Sequence, residues 1–220
     1  MLKVEFHCHT IYSKDSLTQI DALLAVCRHR KIDRIVITDH NAIAGAQLAQ
    51  KIDPEHVIVG EEIMTQKGEI LAAYVQELIP AGLPPMEVIQ RLRDQGAFIS
   101  VSHPFDKQRK GAWRLEDLVE IAPRVDAIEV FNARCLSNQY NDQARQFAME
   151  HHLGGTVGSD AHILLEVGHA TLLLPEFDGP EMLKQVIHSG QVVGKLSSPL
   201  VHFSSTYAKW CKKLGLVSRY

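Results

Sequence analysis

Short apolar runs with the composition of β-strands alternate with helix-like stretches along almost the whole chain of 220 residues. This alternation is typical of βα units, in which helices cover a parallel sheet. The predicted strands span residues 2–8, 34–38, 57–59, 70–75, 97–102, 127–131, 155–157 and 170–174. The predicted helices span residues 19–29, 42–51, 85–94, 115–121, 139–151 and 179–188. The pattern therefore predicts an α/β protein built around a parallel sheet.

Histidine and carboxylate motifs stand where several of these predicted strands end. They are His7-Cys8-His9, Asp39-His40, Glu61-Glu62, His103 and Asp160-Ala161-His162. Imidazole and carboxylate groups are the protein ligands of Zn, Mn and Fe. The carboxyl ends of barrel strands meet at one face, where active sites collect. So many ligands at one face of one domain predict a polynuclear metal centre, which is typical of a metal-dependent hydrolase.

Side-chain alternation in the first predicted strand places His7 and His9 on the same face, so that both imidazoles point into one pocket. Lys3 and Glu5 fall on that face as well. Either these two residues pair deeper in the barrel, or the strand begins after them. Buried polar groups without partners cost about 1–3 kcal/mol each. Metal ligation therefore explains the clustered motifs more economically than a set of unrelated core histidines.

Composition favours one globular domain over residues 1–220, because 45% of the residues are hydrophobic, 22% are charged and no linker divides the chain. The formal net charge of −3 gives no broad basic surface for long nucleic acid. Four cysteines without a C-x-x-C pair predict reduced thiols rather than disulfides or a zinc ribbon. The N-terminal strand leaves no room for a signal peptide, and no stretch reaches transmembrane length. We expect a cytoplasmic protein.

The C-terminal segment predicts a short basic amphipathic helix. It begins at Ser204 and carries Lys209, Trp210, Lys212, Lys213, Leu214 and Arg219. We expect this helix to pack on its own barrel. A contact with a membrane or a partner protein is the alternative.

The ordered motifs resemble those of the polymerase and histidinol phosphatase (PHP) superfamily of metal-dependent phosphoesterases. The matching segments are F-H-C-H-T at 6–10, followed by Ser13 and Asp15, then I-T-D-H-N at 37–41, G-E-E at 60–62, S-H-P at 102–104, E-V-F-N at 129–132 and G-S-D-A-H at 158–162. They occur in the family order and extend from Phe6 to about Gly168. The resemblance implies a distorted TIM-like (β/α)7 barrel with two or three divalent ions, Mn, Zn or Fe, at its C-terminal strand face.

The resemblance also implies which residues hold the ions. The first ion would be held by His7, His9 and Asp160, the second by His103 and by Glu62 as a bridge from the first, and the third by Asp15, His40 and His162. Glu62 is preferred to Glu61 because the family motif ends in the acid two residues after the glycine. Glu62, Asp160 and His162 are predicted to act in catalysis as well.

Two positions depart from relatives that hold three ions tightly, since Asp15 and Asn132 stand where those relatives have histidine. Asp15 remains a good ligand for a hard ion such as Mn²⁺. Asn132 is a neutral and weaker ligand, so the second site is expected to be labile or completed by water. The asparagine resembles the branch that acts on nucleotides and small phosphate esters, including nucleoside 3′,5′-bisphosphate phosphatases. The short segment from Glu62 to His103 leaves little room for the insertion common in that branch.

The expected substrate is a small-molecule phosphate monoester, hydrolysed by a metal-activated water. Arg134 is the candidate phosphate clamp, because a guanidinium group binds two phosphate oxygens at once. A solvated loop arginine is the alternative for this residue. An alternative role for His162 and His40, without the third ion, is protonation of a leaving group.

Other functions stay open at this stage. A 5′-3′ exonuclease on short oligonucleotides would need a groove lined by Lys107, Arg109, Lys110 and Arg114. A non-catalytic, metal-stabilised interaction module would have lost ligands, whereas eight of the nine expected positions hold strong ligand types. Histidinol-phosphate hydrolysis fits the Asn132 pattern less well. No membrane partner is expected, and the sequence leaves the oligomeric state undetermined.

Overall fold

A computed structural model describes residues 1–217; Arg219, part of the predicted basic tail, lies outside the described residues. The strands of this part of the chain are β1 (Leu2–Cys8), β2 (Arg34–Ile37), β3 (Val57–Met64), β4 (Glu69–Ala73), β5 (Phe98–Val101), β6 (Ala127–Asn132), β7 (Gly154–Gly158), β8 (Ala170–Leu174) and β9 (Gln191–Gly194). Its helices are α1 (Ile20–His29), α2 (Ala44–Ile52), α3 (Pro85–Asp94), α4 (Leu115–Ile121), α5 (Asn138–Glu150), α6 (Gly179–Val186) and α7 (Val201–Lys213). Each of the first six helices begins and ends within two residues of its predicted bounds.

The sheet is only partly parallel. β1, β2 and β3 are parallel to one another, and so are β5, β6 and β7. β4 is antiparallel to both of its neighbours, β3 and β5, so the predicted parallel sheet is interrupted at this strand. The reason is the connection, because only residues 65–68 join β3 to β4. A crossover between parallel strands needs about a dozen residues or more.

The sheet curls into a distorted, nearly closed barrel, as the sequence predicted. The strand order is β7-β6-β5-β4-β3-β2-β1-β8-β9. The chain directly after β7 returns to β1, where Cys8 bridges Ala161 and the His9 amide donates to the Ala161 carbonyl over 2.9 Å. β8 and β9 extend the sheet antiparallel beyond the first half of β1. β9 was not predicted, because its four exposed residues form no strand-length apolar run.

Helix α3 illustrates how the sequence places a helix on the outside of the barrel. Pro85 occupies the first turn, where an amide hydrogen would have no partner within the helix. Val88, Ile89 and Leu92 are buried along one face. Gly96 follows with a φ of 71°, the left-handed conformation that commonly ends a helix. α2 and α5 pack in a similar way on β3 and β6, which leaves the strand ends available to polar side chains.

Helix α7 packs on its own barrel, which confirms the expectation for the C-terminal segment. Ser205, Ala208 and Cys211 are buried at a spacing of three residues. Arg134 lies two residues after the end of β6, and its Nη2 donates to the Val201 carbonyl over 3.0 Å. Among residues 1–217, no helix combines the length and the apolar character needed to cross a bilayer.

Candidate metal centre

His7 and His9 lie at the carboxyl end of β1 with their rings together. Their Nε2 atoms are 3.1 Å apart. The pairing of β1 with β2 changes register between Glu5 and Cys8, an irregularity that often re-aims side chains beside functional sites. His7 Nδ1 lies 2.9 Å from Oε1 of Glu129 on β6. When Nδ1 donates to this carboxylate, the Nε2 lone pair of His7 faces the centre.

Strand β1 includes both Lys3 and Glu5, so the alternative that the strand begins after them is wrong. The alternative that the two residues pair with each other is wrong as well, because each has other partners. Lys3 Nζ donates to the Arg30 carbonyl over 3.0 Å. Glu5 accepts hydrogen bonds from the amides of Ser159 and Gly168 over 2.8 and 3.0 Å, and burial raises the pKa of Glu5 to about 7. Glu5 thus ties β1 to the chain that follows β7.

Glu62 on β3 lies at the middle of the cluster. Its Oε2 is 3.4 Å from His7 Nε2 and 3.5 Å from His9 Nε2. The same oxygen is 2.9 Å from His40 Nδ1, while Oε1 is 3.2 Å from His103 Nε2. Burial alone would raise the pKa of Glu62, but the surrounding imidazoles hold it well below its usual range. A carboxylate that reaches four imidazoles has the geometry of a bridging ligand.

Glu61 lies on the other face of β3. Its Oε2 accepts a hydrogen bond from the Ile79 amide over 3.0 Å, and burial raises the pKa of Glu61 to about 7. Ser102 Oγ donates to Glu62 Oε1 over 2.7 Å and helps to orient it. The two carboxylates thus lie on opposite faces of β3, and Glu62, the residue that the resemblance favours, is the one that faces the imidazoles.

Asp160 follows β7 and joins the group around His7 and His9. Its Oδ1 is 3.2 Å from His9 Nε2 and 3.6 Å from His7 Nε2. Its Oδ2 accepts a hydrogen bond from Arg109 Nη1. The backbone of Asp160 has a φ of 51°, a left-handed conformation that is uncommon for residues other than glycine and clusters at functional sites. This turn directs the carboxylate toward the two histidines.

Asp15, His40 and His162, the predicted ligands of a third ion, lie together beside this group. Asp15 Oδ2 is 3.4 Å from His40 Nε2, and Oδ1 is 3.3 Å from His162 Nε2. Burial acts to raise the pKa of Asp15, but hydrogen bonds to His162 and His40 hold it below its usual range. Lys209 Nζ on α7 is 3.3 Å from Asp15 Oδ2. The C-terminal helix therefore reaches the edge of the cluster.

Glu69 on β4 is a candidate ligand that sequence reasoning missed. Its Oε1 is 3.5 Å from His40 Nδ1, and its Oε2 is 3.6 Å from His103 Nε2. Burial and the nearby Glu62 carboxylate raise the pKa of Glu69. No motif marks this residue, and its strand was expected to begin one position later. The antiparallel pairing of β4 with β3 is what brings it to the site.

Asn132 lies at the end of β6, where its side-chain amide is already engaged. Its Nδ2 donates to Glu129 Oε2 over 3.0 Å and to Asp160 Oδ2 over 3.3 Å. Its Oδ1 accepts from the Arg134 amide over 2.9 Å. In this arrangement Asn132 orients two carboxylates, and its role as a metal ligand stays a prediction.

Arg134 joins the cluster to α7. Its Nη1 is 2.6 Å from His162 Nδ1, and its Nη2 donates to Ser205 Oγ over 2.9 Å. Its Nε lies 3.1 Å from Oε1 of Glu166, an acid that sequence reasoning also missed. Arg134 is only 3% exposed, so the alternative of a solvated loop arginine is wrong. Its role as a phosphate clamp stays a prediction.

A cleft of about 740 Å³ opens above the cluster, a volume in the range of small-molecule sites. Of the four basic residues predicted to form a groove, Arg109 and Lys110 line this cleft. Arg109 Nε also lies 3.2 Å from Asp106 Oδ2. Arg114 instead pairs with Glu116 at the surface. The loop after β5 therefore contributes part of the predicted groove.

The donor set of the cluster fits divalent metal ions. Six buried nitrogen and oxygen atoms of the predicted ligands make no hydrogen bond of acceptable geometry among residues 1–217. Four of them lie close to other donor atoms of the cluster: His40 Nδ1, Glu62 Oε2, His103 Nε2 and Asp160 Oδ1. An ion would satisfy these atoms together, whereas each costs about 1–3 kcal/mol when left unpaired. Burial and the neighbouring His162 lower the pKa of His9 to about 3, so His9 is neutral and able to ligate at pH 7.

Three groups of residues bring their donor atoms within 4.8 Å of one another and could each hold an ion. They are His7-His9-Glu62, His9-His40-His162 and His40-Glu62-Glu69. Nitrogen and oxygen donors of this kind accommodate Mn, Fe and Zn. Each pair of groups has one residue in common, which is His9, Glu62 or His40. Ions held in these groups would therefore be close neighbours.

Comparison with known proteins identifies relatives of this chain. A family model described as PHP-associated matches residues 138–192. The uncharacterised protein MJ0417 of Methanocaldococcus jannaschii is 36% identical to this chain over 180 residues, which are 80% of this chain and 72% of that protein.

Solved structures share the fold at low sequence identity. PsfC from Pseudomonas syringae has a TM-score of 0.68 and 19% identity, over 95% of this chain and 98% of PsfC. A two-domain protein from Bacteroides vulgatus that contains a predicted PHP-like metal-dependent phosphoesterase has a TM-score of 0.69 and 16% identity, over 94% of this chain and 69% of that protein.

The fold and the cluster define an α/β barrel with a candidate polynuclear metal centre at the C-terminal ends of its strands. The chain belongs to one family with MJ0417, and its residues 138–192 match the PHP-associated family model. Its place in the nucleoside bisphosphate phosphatase branch stays a prediction.

Proposed function

We propose that this protein is a metal-dependent phosphoesterase that releases phosphate from monoesters of nucleotides or other small phosphorylated metabolites. The position of Glu62 carries the proposal, because its two oxygens lie within 3.5 Å of ring nitrogens from four histidines. One carboxylate shared by two sets of imidazoles suits a pair of adjacent divalent ions, the arrangement that promotes in-line displacement at phosphorus.

The ions would be held by the ligands that the sequence predicted, with Glu69 added and with Asn132 kept as a predicted weaker ligand of the second ion. The residues are His7, His9 and Asp160 at the first site, Glu62 as the bridge, His103 and Glu69 at the second, and Asp15, His40 and His162 at the third. When bound, such ions supply a water of lowered pKa and neutralise charge on the phosphoryl oxygens. Because uncatalysed monoester hydrolysis is extremely slow, most of the rate enhancement must come from this neutralisation and from fixed cations of the chain.

Two side chains suit the remaining tasks. Arg109 lines the cleft, and its buried Nη2 has no hydrogen-bond partner among the described residues, so it can donate to a phosphoryl oxygen. His162 lines the cleft as well. In the absence of the third ion it can give a proton to the leaving oxygen.

The direct test is phosphate release by metal-stripped protein reconstituted with Mn²⁺, Zn²⁺ or Fe²⁺. The substrates are nucleotides, nucleoside 3′,5′-bisphosphates, sugar phosphates and histidinol phosphate, with bis(p-nitrophenyl) phosphate to separate diesterase from monoesterase activity. We expect selective, metal-dependent release from the nucleotide or bisphosphate members. Tight metal binding without release from any ester would instead support a non-catalytic module.

His103→Ala links this activity to the cluster. We expect it to lower both metal content and phosphate release, because it removes a ligand next to Glu62. His188→Ala, at an exposed position, is the matched control and should change neither. If His103→Ala leaves metal content and thermal stability unchanged and no ester is hydrolysed, the proposed function is wrong.

A further inference from the structure

Helix α7 presents a row of exposed aromatic rings that begins at the mouth of the cleft. Phe203, Tyr207 and Trp210 are spaced by four and three residues, which places them on one helix face. They are 72%, 59% and 56% exposed. Phe203 lines the cleft, and the row continues from it for about 10 Å along the helix. A surface of this kind connects the candidate metal centre with the outside of the molecule.

Positive charge is concentrated in the same part of the chain. No Asp or Glu follows Glu181 in the sequence, whereas Lys184, Lys195, Lys209, Lys212, Lys213 and Arg219 do. The chain as a whole has a formal net charge of −3, so this segregation is a local feature. The cleft adds Lys14, Arg109 and Lys110. An anionic chain that follows α7 would therefore meet cations at the cleft as well.

We propose that the outer face of α7 is a stacking surface for a short single-stranded oligonucleotide whose terminal phosphate enters the metal centre; this inference rests on the proposed phosphoesterase function. Aromatic rings next to lysines bind single strands with little sequence preference, because every base can stack. The ring centroids of Tyr207 and Trp210 are 6.5 Å apart. Their planes are tilted by 34° to each other, so the two rings form one aromatic patch on the outside of α7.

Charge argues against a second copy of this chain as the occupant. Lys213 is exposed three residues after Trp210, on the side of the aromatic row. Two α7 helices packed through this row would bring their Lys213 side chains together without a carboxylate on either helix, and such like-charge contacts are unfavourable. A lipid surface is disfavoured by the direction of the lysines. Lys209 Nζ contacts Asp15, and Lys212 Nζ contacts the carbonyls of Ile11 and Ser13. These two charges lie toward the cleft, where a terminal phosphate would enter.

Tryptophan fluorescence of the metal-loaded chain of 220 residues tests the proposal. Trp113 is 7% exposed and Trp210 is 56% exposed, and the chain has only these two tryptophans, so accessible quenching reports mainly on Trp210. The ligand is hexathymidylate with a 5′-thiophosphate and phosphorothioate linkages, which slow hydrolysis of the terminal monoester and of the diesters. We expect quenching that saturates with oligonucleotide and weakens as salt is raised.

The variant Tyr207→Ser/Trp210→Ser should bind the oligonucleotide at least tenfold more weakly. Fluorescence anisotropy of labelled oligonucleotide measures this affinity. Met149→Ser, at a 70% exposed position on α5, should bind like the unaltered protein.

Three results would overturn the proposal. The first is equal oligonucleotide affinity in the double variant. The second is that the unaltered protein sediments as a dimer and binds no oligonucleotide, whereas the double variant sediments as a monomer. The third is Trp210 quenching by phosphatidylserine vesicles but not by oligonucleotide. Each can occur while nucleotides are still hydrolysed, in which case the phosphoesterase proposal stands. Oligonucleotide binding without phosphate release from any ester would refute the phosphoesterase proposal instead.

Discussion

The His7 ring is held by Glu129, whose Oε1 lies 2.9 Å from His7 Nδ1. The other oxygen of Glu129 accepts from the His103 amide over 2.8 Å and from Asn132 Nδ2 over 3.0 Å. One buried carboxylate on β6 therefore positions residues from three strand ends. Ligand histidines commonly donate their second ring nitrogen to such a carboxylate, which selects the tautomer and raises ligand basicity.

Glu129→Gln should weaken metal binding without removing a predicted ligand. Glutamine keeps the shape of the side chain but loses the charge that polarises His7. Changes of this kind typically cost about 10–100-fold in metal affinity, which competition with a chelator measures. Glu176→Gln, at an exposed position, is the control. Equal affinities in the two variants would show that Glu129 plays no part in metal binding.

Glu62→Gln and Glu61→Gln form a matched pair of variants on one strand. Glu62 faces four imidazoles, whereas Glu61 accepts from the Ile79 amide on the other face of β3. We expect Glu62→Gln to lose at least one bound ion per chain and most of its phosphate release. Glu61→Gln should retain its ions. Inductively coupled plasma mass spectrometry counts the ions, and the reverse pattern would make Glu61 the bridge.

Removal of divalent ions should lower the thermal midpoint of unfolding. An ion at about 1,000 times its dissociation constant stabilises the folded state by about 4 kcal/mol. For a chain of this size, 1 kcal/mol corresponds to roughly 2–4 °C, so chelation should lower the midpoint by about 10 °C. Differential scanning fluorimetry with and without EDTA measures the change, and added Mn²⁺ should reverse it. An unchanged midpoint would argue against tight ion binding at the cluster.

Arg134→Ala should destabilise the fold much more than Ser205→Ala. The first leaves the Glu166 carboxylate buried without its cation, which typically costs about 3–5 kcal/mol. The second removes one hydrogen bond from the Arg134 side chain, worth about 1 kcal/mol. Urea unfolding compares the two variants. Similar losses would mean that the ion pair with Glu166 contributes little.

The half-buried His169 should make stability depend on pH. Burial, with Lys195 and Arg30 nearby, lowers the pKa of His169 in the folded protein. Below about pH 6.5 the unfolded chain therefore binds more protons at this residue, and its contribution to stability falls as pH decreases. His169→Gln removes the effect. The thermal midpoint of unfolding of the variant minus that of the unaltered protein should therefore be larger at pH 5 than at pH 8. A difference that is the same at both pH values would contradict this.

The sequence by itself determined the helices, the first strand and the positions of the ligand histidines. These features depend on neighbours only two to four residues away, as in the stripe Val88, Ile89 and Leu92 of α3. The alternation of His7 and His9, and of Glu61 and Glu62, likewise follows from the period of a strand. Local rules of this kind are enough to indicate which side chains could face a common centre.

Only the tertiary structure decided which distant residues complete that centre. Glu69 arrives because β4 is antiparallel to β3. Glu129 reaches the His103 amide because β6 pairs with β5, the strand that precedes His103. Lys209 reaches Asp15 because Arg134 helps to hold α7 against the barrel. The contact of Glu129 on β6 with His7 on β1 depends on closure of the sheet where the chain after β7 meets β1. Closure is a balance of packing across the whole barrel, and no short stretch of sequence encodes it.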